Sequence, residues 1–380
     1  MLKETLQQVS PKDKPWETHK SENVEVGYLY GLEPRFARYA QRMAGCGDWL
    51  EFAEADVAEH DKRLKLSRAS FCHVRHCPVC QWRKSLARIA RFMNNLPGYL
   101  KDAPECAYLL VTLTSRNCPF DEIRATIKVQ NDGVKKLLKR LGRAGVTVLG
   151  YVRVNEVTKG QDGLAHPHIH LILAVPKSYF GRAYIPQKRW AELWGACMRL
   201  DYEPRVDVRR VKMSKRKKAK LREEGREPTA ADDLISGLLE VSKYAVKPED
   251  MTDDADFLYS VTEQCFKMRF LATGGCLKDI YRDGAKDAED ISDEEMLRPG
   301  GEDDQEKAGA WRQLFLWAQE RRRYRLALRR KASPDRQLDD LEFREGLTAA
   351  LRARSEERRR KKEESKSDGA PLGVSQGFGA

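Results

Sequence analysis

The chain has 380 residues, and 70 Lys and Arg against 58 Asp and Glu give it a formal net charge of +12. That length holds a catalytic domain of about 150 to 200 residues plus smaller attachments, and positive charge gathered into blocks favours a polyanionic partner over a small neutral substrate. No stretch approaches the ~20 apolar residues needed to cross a bilayer, and the first residues lack the apolar centre of a secretory signal, so a soluble protein of the cytoplasm is expected.

Residues 1 to about 30 are polar and irregular. Residues 31 to 100 carry two helix-like stretches around a cysteine cluster and end near Pro97-Gly98. Nine cysteines in a chain of this size do not make a secreted disulfide scaffold. Cys72, Cys77 and Cys80 form C-x₄-C-x₂-C, so residues 1–100 are read as an N-terminal segment with a structural Zn²⁺ module. A closed tetrahedral site needs a fourth ligand. Cys46, between Gly45 and Gly47 in a sequence suited to a tight turn, is the best candidate, with His73 and His76 as alternatives. Free reduced thiols are the competing reading.

From Ala107 the pattern turns β-branched and apolar. A strand over Tyr108 to Thr114 is followed by a helix from Asp121 to about Leu141, strands at about 146–157 and 166–174, and a helix from about Gln187 to Leu200. A strand with alternating Val206, Val208 and Val211 and a helix over about Ala231 to Lys247 complete the run. The order β-α-β-β-α-β-α suits an α+β domain over 101–282, an antiparallel sheet of ferredoxin-like plan with helices on one face. Residues 212–227 read as an exposed basic loop or helix extension, and 283–310 as an acidic linker. Residues 311–362 read as an Arg-rich helical extension, with helices at Trp311 to Arg330 and Leu338 to Lys362, and 363–380 as a disordered tail.

Three of the seven histidines fall within five residues, His166-Pro167-His168-Ile169-His170. In a strand, residues two apart share a face, so His168 and His170 can aim at one ion while Ile169 enters the core. Imidazole suits transition metals, and a carboxylate from Glu156 on the preceding strand would favour Mg²⁺ or Mn²⁺. On the last helix of the domain, Glu240 and Tyr244 stand at i and i+4, with Lys243 and Lys247 nearby. Such a Tyr can be a nucleophile, although a Tyr on an amphipathic helix is more often a core residue.

Taken together, His168-Ile169-His170, Glu240 with Tyr244, and the early strand Leu110-Val111-Thr112-Leu113-Thr114 resemble the three motifs of the HUH endonuclease superfamily, and within it the single-tyrosine Rep proteins of rolling-circle plasmids. Lys14-Pro15-Trp16 and the run Phe71 to Lys84 are similar to that family's leader segment. The resemblance covers about residues 10–280 and leaves out the acidic linker and the Arg-rich C-terminus. It implies a ferredoxin-like or RRM-like sheet in a bacterial replication initiator. A divalent cation on His168, His170 and Glu156 would act as a Lewis acid, Tyr244 would attack to form a 5′-phosphotyrosyl bond, and Glu240 would activate water for a terminating hydrolysis. His166 would support the ligands from outside. The substrate would be single-stranded or extruded origin DNA, tracked by Arg205, Arg209, Arg210, Lys212, Lys215, Arg216, Lys217 and Lys218, with host helicase and polymerase as partners. A single-strand transposase and a non-catalytic zinc-containing DNA-binding regulator are the competing readings.

Overall fold

The computed structural model describes residues 4–55, 63–102, 106–181, 183–241, 246–282, 290–300 and 310–367. In chain order the elements are α1 (Leu6–Val9), α2 (Pro15–Leu32), α3 (Ala37–Ala44), β1 (Trp49–Ala55), β2 (Arg63–Ala69), α4 (Pro78–Asp102) and β3 (Cys106–Thr114). Next come α5 (Ile123–Arg143), β4 (Gly150–Lys159), β5 (Ala165–Pro176), α6 (Gln187–Met198), β6 (Val206–Arg210), α7 (Lys215–Glu223) and α8 (Ala230–Val241). The remainder are α9 (Pro248–Asp253), α10 (Ala255–Gln264), β7 (Leu271–Gly275), α11 (Asp293–Leu297), β8 (Trp311–Ala318), β9 (Arg323–Lys331) and α12 (Arg336–Ser367). They fall into two compact units, one of residues 1–17, 48–69 and 304–380, the other of residues 18–47 and 70–303. No helix among the described residues is long and apolar enough to cross a membrane.

The larger unit is built on a five-stranded antiparallel sheet in the order β6-β3-β5-β4-β7. Both faces of this sheet are covered, where the sequence reading put helices on one. Leu109, Val111, Ile169, Leu171 and Leu173 pack against α5 and α6. The alternate set, Tyr108, Leu110, Val152, Ile172 and Ala174, packs against α4 and α8. The cause is the composition of β3 and β5, whose middles are apolar at consecutive positions and so must be buried on both sides. Helix α8 approaches closely at Gly237, where an added Cβ would lie 2.7 Å from Val211 and 3.0 Å from Ile172.

Part of the expected acidic linker is structured. Over 290–300, α11 buries Met296 beside Ala87 and Ile291, and Glu295 accepts from Arg91 at 2.5 Å. Residues 283–289 and 301–309 lie outside the described residues.

The smaller unit contains a second antiparallel sheet, β2-β1-β8-β9. Here the helix expected over Trp311 to Arg330 is instead the β8–β9 hairpin, and the β1–β2 hairpin was not foreseen. A short apolar run such as Leu314-Phe315-Leu316-Trp317 carries no period that separates strand from helix, and the partner that decides it, β1, is some 260 residues away. Leu314 and Leu316 pack on Phe343 of α12. At the α12 end Glu51, 1% exposed, pairs with Arg68 at 2.6 Å and Arg330 at 2.9 Å, and both arginines also reach Asp339. Helix α12 runs on to Ser367, five residues into the expected tail, and 368–380 lie outside the described residues.

Candidate functional site

Strand pairing assembles the first site. In β5, His168 lies opposite Glu156 of β4 and Thr114 of β3, and His170 lies opposite Val154 and Thr112. Opposite residues share a face, so this face of the sheet is polar at one end and apolar at the other, where Ile172 and Ala174 meet α8. Ile169 points the other way and is fully buried. The donor atoms of Glu156, His168 and His170 all lie within 4.8 Å of one another. Glu156 Oε2 is 3.3 Å from His168 Nε2 and 3.0 Å from His170 Nε2.

One contact defines a ring nitrogen. His168 Nδ1 donates to the His166 carbonyl at 3.1 Å, which in a neutral ring leaves Nε2 a bare lone pair facing the Glu156 oxygen. That juxtaposition is repulsive unless a proton or a cation lies between, so the donor set fits a divalent cation. Thr112 Oγ1 lies 3.2 Å from His170 Nδ1. Burial pushes the Glu156 carboxyl up, but with protons on the facing ring nitrogens the hydrogen bonds and charge of His168 and His170 outweigh it and hold the group down at about 2. It is therefore an anion at neutral pH. His166 Nδ1 donates to Asn117 Oδ1 at 2.6 Å, and Asn117 Nδ2 donates to Asp162 at 2.9 Å, so His166 stands beside the Glu156–His168–His170 group without joining it. Thr112 was in view as part of a strand motif; Asn117 gave no local signal, because it reaches His166 only through the fold.

The second group is Cys46, Cys72, Cys77 and Cys80, all buried. Their sulfurs stand 3.5 Å (Cys46–Cys77), 3.6 Å (Cys46–Cys80) and 3.7 Å (Cys72–Cys80) apart. Those separations are far longer than a disulfide and close to the ~3.8 Å edge of a tetrahedron with metal–sulfur bonds of ~2.3 Å. Neither histidine alternative joins the group: His73 Nε2 meets Asp293 at 2.5 Å, and His76 is buried outside the group. Contacts with the neighbouring sulfurs raise the Cys46 thiol, burial raises Cys77, and hydrogen bonds from the other three lower Cys80. Four thiolates gathered this closely would repel one another without a cation among them, so the set is compatible with a metal ion. Two residues of α2 that sequence reasoning missed complete the surroundings. Asn23 Nδ2 donates to Cys77 Sγ at 3.2 Å, and the ammonium of Lys20, itself 1% exposed, donates to the Cys46 carbonyl at 2.7 Å.

The remaining expected site residues are placed as follows. Glu240 is exposed in the last turn of α8, where Arg209 Nη2 donates to it. Tyr244 and Lys243 lie outside the described residues. The helix expected to run to Lys247 has ended before that residue, whose exposed, extended backbone caps α9. Among the basic residues, Arg209 lies opposite Leu110 on the histidine-bearing face, and Arg210 lies opposite Leu109 on the other, its guanidinium 4.8 Å from the Phe180 ring. Thr114 Oγ1 donates to the Arg205 carbonyl at 2.8 Å. Lys212, Lys215, Arg216 and Lys217 are exposed, and Lys218 is half-buried 3.4 Å from Asp233.

Comparison with known proteins then adds an independent line. A family described as "Replication protein" matches residues 63–325. A "Protein rep" of Bacillus amyloliquefaciens is 32% identical over 322 residues, covering 80% of this chain and 92% of its own. Another, of Lactiplantibacillus plantarum, is 34% identical over 302 residues, covering 77% and 88%. A third, of Streptococcus pneumoniae serotype 2, is 28% identical over 276 residues, covering 71% and 80%. No solved structure gave a significant match.

Proposed function

The chain belongs to the plasmid replication-protein family, and from that premise we propose that it initiates rolling-circle replication by nicking and rejoining single-stranded origin DNA through Tyr244. The observation that carries this reading is the convergence of His168, His170 and Glu156 on one sheet face, with α8 packed on the same face and described as far as Val241, three residues before Tyr244 in the sequence. The spatial order β6-β3-β5-β4, with α5 and α6 together on one face, supports a ferredoxin-like plan extended by β7, α4 and α8.

His168, His170 and Glu156 would hold the divalent cation, which supplies Lewis-acid polarisation of a phosphoryl oxygen when bound. The chain's own residues do the rest. Tyr244 Oη forms a bond to phosphorus, the bond to the 3′ oxygen breaks, and that oxygen leaves as a 3′-hydroxyl that host polymerase extends. The phenol starts near pKa ~10, so Lys243 and Lys247 lower the cost of its ionisation. Arg205, Arg209 and the basic stretch from Lys212 to Lys218 hold the strand. Glu240 removes a proton from the water that hydrolyses the last phosphotyrosyl junction. Once Arg209 turns to a phosphate, the Glu240 carboxylate is free for that role. The four-cysteine group would hold Zn²⁺ and serve folding, since four thiolates leave no open position.

A single-stranded origin oligonucleotide that traps the cleaved product tests this directly. Wild type is expected to give a peptide adduct whose mass maps to Tyr244, and Tyr244→Phe none, while binding of the uncleaved strand stays within about twofold. An adduct on another tyrosine would overturn the assignment.

A further inference from the structure

In the same unit as Glu156, a cleft of about 210 Å³ is lined by Arg75, His76, Lys84, Arg88, Met251 and Phe270. This is smaller than the ~300–1,000 Å³ pockets that enclose drug-sized ligands, and it suits a single ring system. Three features give it the character of a built site. The Arg75 guanidinium lies 4.6 Å over the Phe270 ring and donates to the Met268 carbonyl at 2.8 Å, so its plane is pinned with one face covered. His76 is 3% exposed and hydrogen-bonds the Val261 backbone, yet its Nε2 has no partner among the described residues. Lys84 has no acidic partner among the described residues, and no carboxylate lines the cleft.

Its position links it to the chemistry. The Phe270 carbonyl accepts from the backbone N–H of Asn155, the residue before Glu156, at 2.8 Å. Val246, which also lines the cleft, comes two residues after Tyr244 in the sequence.

We propose that this cleft receives one unpaired nucleobase of the DNA strand beside the nick, an inference that rests on the nicking reading above for the identity of the strand. The base stacks on the free face of Arg75, as bases stack on guanidinium planes in single-strand recognition. His76 forms part of the wall that the base edge meets. Lys84 and Arg88 meet the adjoining phosphate.

The test uses the full-length protein and a set of labelled single-stranded origin oligonucleotides, each with one abasic position, with binding and adduct formation measured separately. Wild type is expected to lose about 5- to 100-fold in affinity at one position flanking the nick. Arg75→Ala should lose a similar factor on the intact strand and nothing further at that position, the signature of a shared contact. Arg75→Lys keeps the charge but not the plane and reads the same coupling if the alanine variant fails to fold. A variant that binds the intact strand like wild type, or stays sensitive at the same position, overturns the base site. Wild type that forms no adduct but shows the coupling would remove the nicking reading and leave the base site standing. Adduct formation without coupling at any position would do the reverse.

Discussion

The two metal-compatible groups differ in almost every respect that decides what a metal can do. The cysteine set is soft and buried, with three of its sulfur separations close to the edge of a metal-sized tetrahedron. The Glu156–His168–His170 set mixes nitrogen and oxygen donors and is partly open, with the Glu156 and His170 side chains 17% and 22% exposed. The first is made by turns and a helix start, where a local sequence pattern brings ligands together. The second is made by strand register, where ligands from β4 and β5 meet only because the sheet is paired correctly. We propose that folding depends on the first and chemistry on the second, a contrast that can be broken in either direction.

The largest expected effect is at the open group. His168→Ala or His170→Ala should lower single-turnover cleavage by roughly 10³-fold, the equivalent of about 4 kcal/mol in the barrier, with thermal stability little changed. Excess chelator should do the same to wild type. Cleavage that persists in chelator would end the metal reading of this group.

The closed group should respond in the opposite way. Cys77→Ser or Cys80→Ser is expected to reduce bound zinc and to lower unfolding stability by roughly 4 kcal/mol or more, the size associated with lost metal links. Any fraction that remains folded should still cleave short oligonucleotides. Metal analysis of carefully purified wild type that finds no zinc would overturn this half of the comparison.

How much of this was legible in the sequence follows from the same distinction. His168 and His170 could be paired by strand alternation alone, and the three clustered cysteines by their spacing. Cys46 was a candidate only because glycines flank it, and the fold brings it to the others. Lys20, Asn23 and Asn117 were not legible, since their roles depend on elements distant in sequence. The β8–β9 hairpin was misread for a related reason. Its arginines suit a helix equally well, and the choice falls to pairing with β1, with Glu51 and Asp339 neutralising Arg330 inside the structure.

A smaller effect is expected at Glu240, which stands apart from both groups and pairs with Arg209. Glu240→Gln should form the tyrosyl adduct at a near-normal rate and release it about 10²-fold more slowly, within the range of general-base contributions. Covalent complex would then accumulate on a pre-nicked substrate. Equal loss of both steps would make the carboxylate a positioning partner of Arg209 instead.

The smallest effect, and the sharpest test of the open group, is expected at Thr112. Its Oγ1 stands 3.2 Å from His170 Nδ1, the nitrogen that faces away from Glu156. When Nε2 binds a cation, Nδ1 carries the ring proton and donates it to Thr112, which fixes the tautomer and the ring plane. Thr112→Val keeps the shape and removes only the acceptor. Divalent-ion affinity, read from the metal dependence of cleavage, should weaken by about 10-fold, the lower end of the range for such supporting contacts. At saturating metal the rate should recover most of its value, and bound zinc should be unchanged, because Thr112 belongs to the sheet beside His170 and not to the four-cysteine group. A variant with unaltered metal dependence would mean that His170 is held in place by packing in β5 alone. One that lost activity at every metal concentration would mean that Thr112 meets the DNA itself, since loss of a supporting contact to a ligand is overcome by excess ion and loss of a substrate contact is not.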